Sequence, residues 1–270
     1  MNIYSLLVLI RPANGLTAIS DIIAGAAIGN FIIEDSIIKL MLLIIATFCL
    51  YSSGIIFNDV FDRDIDKVER PERPIPSGKI TTPFAILIGI ILNIIGVGCC
   101  FLTNQICGLI GALIAISAFL YNKFSKHHPI IGPTNMGVCR SLNLLLGISI
   151  IGQPQYLICL LPLLFIFGIT LTSRGEVNGN NRWAIQIALC IDVVIAGSIL
   201  YLSTNKETYI WIILAFLSLW FGLNLNAKIK ALINNNPKAI QHAVKTGVIS
   251  LIPLNAVYAC LLYTSPSPRD

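Results

Sequence analysis

Four oxygen-bearing side chains, Asn58, Asp59, Asp62 and Asp66, follow the spacing N-D-x-x-D-x-x-x-D directly after a long apolar run. Carried on a helix, Asn58, Asp62 and Asp66 stand at i, i+4 and i+8, one above the other on one face, and Asp59 lies on nearly the same face. Like charges at this spacing repel by roughly a few tenths of a kcal/mol per pair, and a bound hard cation reverses that sign. Mg2+ takes one or two carboxylates, keeps waters and completes its shell with substrate phosphates. The ladder therefore predicts a site that holds a diphosphate through Mg2+, with Asn58, Asp59, Asp62 and Asp66 as oxygen ligands. The sequence "ERPERPIPSGKI" follows at 69–80. Arg70 and Arg73 offer planar forks for phosphate oxygens. Pro71, Pro74 and Pro76 stiffen the connection, and Ser77-Gly78 turns it. The plainer explanation is a solvated loop whose acids pair with its own Arg and Lys. The regularity of the ladder, within a turn of an apolar run, favours a site.

The elements that must position this ladder are apolar. The 270-residue chain is 56% hydrophobic and 11% charged, with a mean hydropathy of +0.82, against about 25% charged in soluble domains. This predicts an all-α, polytopic membrane protein rather than a soluble enzyme with a large core. Apolar stretches of about the length needed to cross a bilayer fall at 16–33, 38–57, 84–102, 105–122, 134–151, 155–172, 183–202, 208–227 and 240–259, which predicts nine transmembrane helices. Small-residue spacings, Gly25 with Gly29 and Gly108 with Gly111, suit close helix packing.

Charge alternates between loops. Those after the second, fourth, sixth and eighth spans hold most of the Lys and Arg, including Lys123, Lys126, Arg174, Arg182, Lys228 and Lys230. The positive-inside rule puts them and the N-terminus in the cytoplasm, or in the stroma of a plastid. The net charge of +5 follows the loops and does not form a nucleic-acid footprint. The eight Cys residues sit mostly in apolar runs without ligand spacing and read as small packing residues. Residues 260–270, "CLLYTSPSPRD", resemble the translation of a sequencing adapter, so one integral membrane domain is expected over 1–259 and a non-native tail after it.

"NDVFDRDID" with "RPERPIPSGKI" resembles the first aspartate-rich motif of the UbiA superfamily of intramembrane prenyltransferases. "RPANGLTAISDIIAG" at 11–25 is similar to the family's approach to its first helix, and "YNKFSKHHPIIGPTNMGVCRSLNLLLG" at 121–147 to its fourth loop and fifth helix. The resemblance implies helices around a central cavity, two acidic motifs holding a polyprenyl diphosphate through Mg2+, and transfer of the prenyl group to a small aromatic or hydroxylic acceptor with release of diphosphate. It implies catalytic roles for Asn58, Asp62, Asp66 and Lys126, with Lys126 and Arg73 on phosphate oxygens. The expected partners are the two substrates and membrane lipid, in a bacterial inner membrane or a plastid membrane. The family's second motif is D-x-x-x-D; here "LTSRGEVNGNNR" at 171–182 offers Glu176 and Asn180 as metal ligands, one negative charge fewer. That departure, and "MGVCRSLN", resemble the divergent EboC-like branch.

Other polar residues inside the spans call for a cavity or a partner. Arg140 can touch the diphosphate or pair with Asp21 or Asp192; Asn143 shares its face. Asn14 and Asp21 are candidates to line the substrate cavity, and Tyr51 and Tyr121 anchor helix ends or face a carbocation. Two other functions compete. Alcohol phosphatidyltransferases need a D-G-x-x-A-R run, which this sequence lacks. A protein with a weakened second motif can instead bind or carry a prenyl lipid without turnover.

Overall fold

The computed structural model describes residues 3–31, 33–151, 156–204 and 210–262, without the side chains of residues 3, 13–14, 33–36 and 262. Asn14 and most of the proposed tail, residues 263–270, therefore lie outside the described side chains and residues. Every regular element among the described residues is helical. The helices are α1 (Ile3–Ile10), α2 (Pro12–Ile28), α3 (Ile33–Phe61), α4 (Arg63–Glu69), α5 (Thr82–Thr103), α6 (Gln105–Leu120), α7 (Ile131–Ile148), α8 (Leu160–Ser173), α9 (Arg182–Ser203), α10 (Ile210–Asn234), α11 (Pro237–Ile249) and α12 (Leu251–Leu262).

Seven stretches among the described residues are long and apolar enough to cross a membrane, and an eighth arises if α1 and α2, bent by 50°, count as one. The expected crossing at 155–172 is a shorter apolar helix, Leu157–Ser173. The expected nine is thus not reached on length. The described helices make a multi-pass integral membrane protein.

The bends follow from proline. Arg11 precedes Pro12 and is pushed out of the right-handed helical region; it sits at φ 50° and ψ 60°, separating α1 from α2. Pro253 cannot donate to the carbonyl four residues back and its ring crowds it, and the chain breaks at Ser250 between α11 and α12. Between α5 and α6, Asn104 makes the turn: its Oδ1 accepts from the Cys107 N–H at 2.8 Å and its Nδ2 donates to the Ser149 carbonyl at 3.0 Å.

Packing runs in a ring. α2 lies on α3, α3 on α5, α5 on α6, α6 on α7, α7 on α8, α8 on α9, α9 on α10, α10 on α12, and α12 returns to α2. α2 also crosses α7, where the backbones touch. A Cβ on Gly25 would lie 2.5 Å from the Leu144 carbonyl oxygen, and one on Gly147 2.6 Å from that of Ile22. Only glycine permits that approach. Gly108 and Gly111 are likewise closed against Phe101 and Cys100 of α5.

One boundary differs from the sequence expectation. α10 continues through Lys228 and Lys230 to Asn234, so these lysines are helical and not loop residues. Lys228 is 1% exposed, with Nζ 2.6 Å from Asp192 Oδ2 on α9 and over the Phe165 ring at 5.3 Å. An ion buried in an apolar bundle needs such a partner. Asp192 therefore belongs to Lys228 and not to Arg140.

Candidate functional site

α3 ends at Phe61 and α4 begins at Arg63, yet the helical ladder carries through the junction. The Asp62 N–H donates to the Asn58 carbonyl at 2.9 Å and the Asp66 N–H to the Asp62 carbonyl at 2.8 Å. Asn58, Asp62 and Asp66 consequently stay in one stack. None of them is turned out into open solvent: Asp59 and Asp66 are buried at 1% and 2% exposure, and the Asp62 side chain is 13% exposed.

Each carboxylate meets a cation. Beyond α6 the chain makes a π-helical turn, Tyr121–Ser125, a wide turn common at functional sites. It buries Asn122, which donates to the Gly54 carbonyl at 2.9 Å, and brings Lys126 across to α3. Lys126 Nζ bonds Asn58 Oδ1 at 2.8 Å and contacts Asp62 Oδ2, while Asn58 Nδ2 donates to Asp62 Oδ2 at 3.1 Å. From the 69–80 loop, Arg73 Nη1 reaches Asp66 Oδ2 at 2.5 Å and Asp59 Oδ1 at 3.1 Å. From the break before α2, Arg11 Nη2 grips both oxygens of Asp59 at 2.7 and 2.9 Å.

Inside this rim lies a cavity of about 340 Å³. Arg11, Asn58, Tyr121 and Asn122 stand at its mouth; Leu50, Ile114, Ile166, Ile169 and Val248 are among its apolar walls. Thr47, Arg140 and Asn143 also line it; Thr47 is about 16 Å along α3 from Asn58 at 1.5 Å per residue. No carboxylate among the described residues lines it, whereas Arg11 and Arg140 do. Arg140 is charge-paired behind the wall, its Nε 2.6 Å from Asp21 Oδ2. Asn143 and Asn255 also donate to Asp21, at 2.9 and 2.7 Å, and Thr47 donates to Asn143 at 2.6 Å. Asp21 is 0% exposed, so it holds the wall and does not face the cavity. Tyr51 lines the cavity with Tyr121.

The second segment is built differently. Gly179 and Asn180 adopt φ of 69° and 56°, which ends any helix there. The Asn180 N–H donates to the Asn235 carbonyl at 3.2 Å, and its Oδ1 accepts from Asn235 Nδ2 at 3.2 Å. Asn180 is exposed and directed at the α10–α11 turn, not at the ladder. Glu176 is partly buried; burial raises its carboxyl above the usual range, and the guanidinium of Arg70 pulls it back. Arg70 thus acts on Glu176 through its charge alone, without an ion pair, and pairs with none of the ladder's carboxylates among the described residues.

A metal must suit these donors. The Lys126 ammonium sits between Asn58 and Asp62, and the Arg73 guanidinium between Asp59 and Asp66. The oxygens are hard and already arranged about positive charge, as Mg2+ requires. Among the described residues no three of His, Cys, Asp or Glu converge on one point. The set fits an ion that draws its remaining ligands from phosphate and water.

Sequence reasoning gave Arg11 no role at the rim, left Asn122 unmentioned and did not place Thr47. Arg11 carried one signal, a lone Arg before Pro between two apolar runs; Asn122 and Thr47 carried none.

The site is thus a charge-paired acidic rim over a mostly apolar chamber in a helical membrane bundle. The UbiA prenyltransferase family model matches residues 20–239, and the chain belongs to that family. It is similar to digeranylgeranylglyceryl phosphate synthases of Sulfurisphaera tokodaii (29% identical, 70% of this chain and 69% of that protein), Methanosarcina mazei (33%, 51% and 47%) and Saccharolobus solfataricus (27%, 80% and 84%). For the Methanosarcina mazei protein the matched stretch is less than two thirds of its length. In fold it is similar to a UbiA homologue from Archaeoglobus fulgidus solved with GPP and Mg2+ (TM-score 0.72, 15% identical, covering 96% of this chain and 100% of that one). A UbiA homologue from Aeropyrum pernix matches with a TM-score of 0.72 at 13% identity, covering 92% and 98%.

Proposed function

We propose that this protein transfers a prenyl group from a prenyl diphosphate to a hydroxyl of an acceptor that carries a glycerol phosphate. The carrying observation is the chamber itself: it opens on Asn58, has long apolar walls, and presents Arg11 and Arg140 with no carboxylate among its described lining residues. The names of the relatives, synthases of a glyceryl phosphate bearing two geranylgeranyl groups, favour a hydroxylic over an aromatic acceptor.

Asn58, Asp62 and Asp66 would hold Mg2+, and Lys126 and Arg73 would turn to the phosphate oxygens. When bound, Mg2+ neutralises the charge that gathers on the departing diphosphate. The bond between the allylic carbon and the diphosphate oxygen breaks, with its electron pair leaving on diphosphate. The acceptor oxygen forms the new bond to that carbon. No histidine or carboxylate among the described residues lines the chamber, so the departing diphosphate is the base at hand for the hydroxyl proton. The apolar walls exclude the water that would otherwise capture the allylic centre. With the charged loops on the cytoplasmic side, as the positive-inside rule favours, the rim would lie within reach of soluble Mg2+.

A second reading rests on Asn180, turned to Asn235 and uncharged: a protein that binds a prenyl lipid without turnover. The test feeds purified protein with Mg2+, prenyl diphosphates of several lengths and either a glyceryl phosphate lipid or an aromatic acid. Prenylated glyceryl phosphate with released diphosphate supports the first reading. Retained lipid without diphosphate release supports the second, and an aromatic product overturns the acceptor assignment.

A further inference from the structure

The rim is balanced charge against charge. Three carboxylates, Asp59, Asp62 and Asp66, face three cations, Arg11, Arg73 and Lys126, all within ion-pair distance. The pairs are sheltered to different degrees: the Asp59, Asp66 and Asp62 side chains are 2%, 4% and 13% exposed, and Arg73, Lys126 and Arg11 14%, 23% and 32%. We propose that these three cations are internal counter-ions of the resting site, so that divalent metal and diphosphate bind as a pair and each binds poorly alone, and that Asp59 is a positioning residue for Arg11 and Arg73 and not a metal ligand. The inference rests on the reading of the rim as a diphosphate site.

A divalent ion that takes Asp62 and Asn58 must first displace the Lys126 ammonium, which already occupies Asn58 Oδ1 and Asp62 Oδ2. The displaced ammonium is then left near the metal in a partly sheltered rim without its carboxylate. Stranding one member of a sheltered pair is unfavourable. Diphosphate alone faces the converse problem. To use Lys126 and Arg73 it must pull them from Asp62 and Asp66, leaving carboxylates unpaired beside a polyanion. Together the exchange is complete: the carboxylates pass from side-chain cations to metal, and the side-chain cations pass from carboxylates to phosphate. No charge is stranded at the end.

Asp59 plays another part. Both of its oxygens are held by Arg11, and Oδ1 also by Arg73. It is 1% exposed, and its partners come from the α1–α2 break and the 69–80 loop. Releasing Arg73 from Asp66 still leaves it tethered at Asp59. The guanidinium can therefore swing toward phosphate without losing its counter-ion, and Asp59 keeps Arg11 at the chamber mouth.

The test measures Mn2+ binding to the full chain in detergent, by loss of the free-ion electron paramagnetic resonance signal. Mn2+ shares the oxygen preference of Mg2+. The titration is made without ligand and with geranyl thiolodiphosphate, with protein-free controls for metal–ligand complexes. The thiolodiphosphate should tighten Mn2+ binding on the order of ten- to a hundredfold, within the usual range of coupling between sites. Lys126→Met should tighten binding of Mn2+ alone and shrink the coupling, whereas Lys126→Arg, which keeps the charge, should preserve it. Asp59→Asn should leave the number of bound Mn2+ ions unchanged while weakening the thiolodiphosphate. Equal Mn2+ affinity with and without ligand in the unmodified protein overturns the counter-ion proposal alone. Loss of bound Mn2+ in Asp59→Asn overturns the role given to Asp59. If neither Mn2+ nor thiolodiphosphate binds in any combination, the reading of the rim as a diphosphate site falls with it.

Discussion

Asp21→Ala probes how the chamber wall is held. Asp21 is 0% exposed and its partner Arg140 8% by side chain, with 2.6 Å between them. Removing the carboxylate strands the guanidinium inside an apolar bundle. The loss of one partner from a buried ion pair costs about 3–5 kcal/mol. The surrounding amides add little, because each keeps a second acceptor: Asn143 Nδ2 still reaches the Ala18 carbonyl at 2.9 Å, and Asn255 Nδ2 the Ser20 hydroxyl at 2.8 Å. For a chain of this size the destabilisation corresponds to a fall of roughly 6–20 °C in Tm. The double variant Asp21→Leu with Arg140→Met removes both charges and fills their space, and is expected to regain most of that loss. The assay is thermal unfolding of the purified protein in detergent, followed by tryptophan fluorescence for the native chain, both single variants and the double. If Asp21→Ala melts with the native chain, or if the double variant is no more stable than either single, the buried pair does not carry the wall and the reasoning fails.

Other expectations follow from the same contacts. Asp62→Ala should lower prenyl transfer on the order of 10²–10³-fold, measured by product mass; near-native turnover would remove Asp62 from the reaction. Gly147→Ala places a Cβ 2.6 Å from the Ile22 carbonyl oxygen and should cost about 1–3 kcal/mol by forcing α2 and α7 apart; a melt matching that of the native chain would contradict the backbone contact. Asn180→Asp should leave the Mg2+ concentration for half-maximal turnover unchanged, since the side chain meets Asn235. A clear drop in that concentration would show the residue reaching the metal. Chelation with EDTA should abolish diphosphate release, and added Mg2+ should restore it; turnover that survives chelation would exclude the metal.

The sequence by itself determined the parts governed by short-range rules. Apolar length and composition predict helices in a membrane, and each expected span has a helical counterpart, although the one at 155–172 is short and that at 240–259 is broken at Ser250. The ladder from Asn58 to Asp66 was legible because helical geometry fixes which residues share a face within two turns. The break at Arg11 before Pro12 and the positive-φ turn at Gly179 obey local rules of the same kind.

Which cation meets which acid was decided only by the tertiary structure. Lys126 lies 64 residues from Asp62, and Arg11 48 from Asp59. Lys228, read from sequence as a loop charge, is buried against Asp192 36 residues away. Such pairings depend on the order of helices around the ring and on where a π-turn or a bent helix aims a side chain. A charged group in an apolar bundle must find a partner, but one sequence offers several of each sign. The helix packing selects among them, and with them the walls of the chamber.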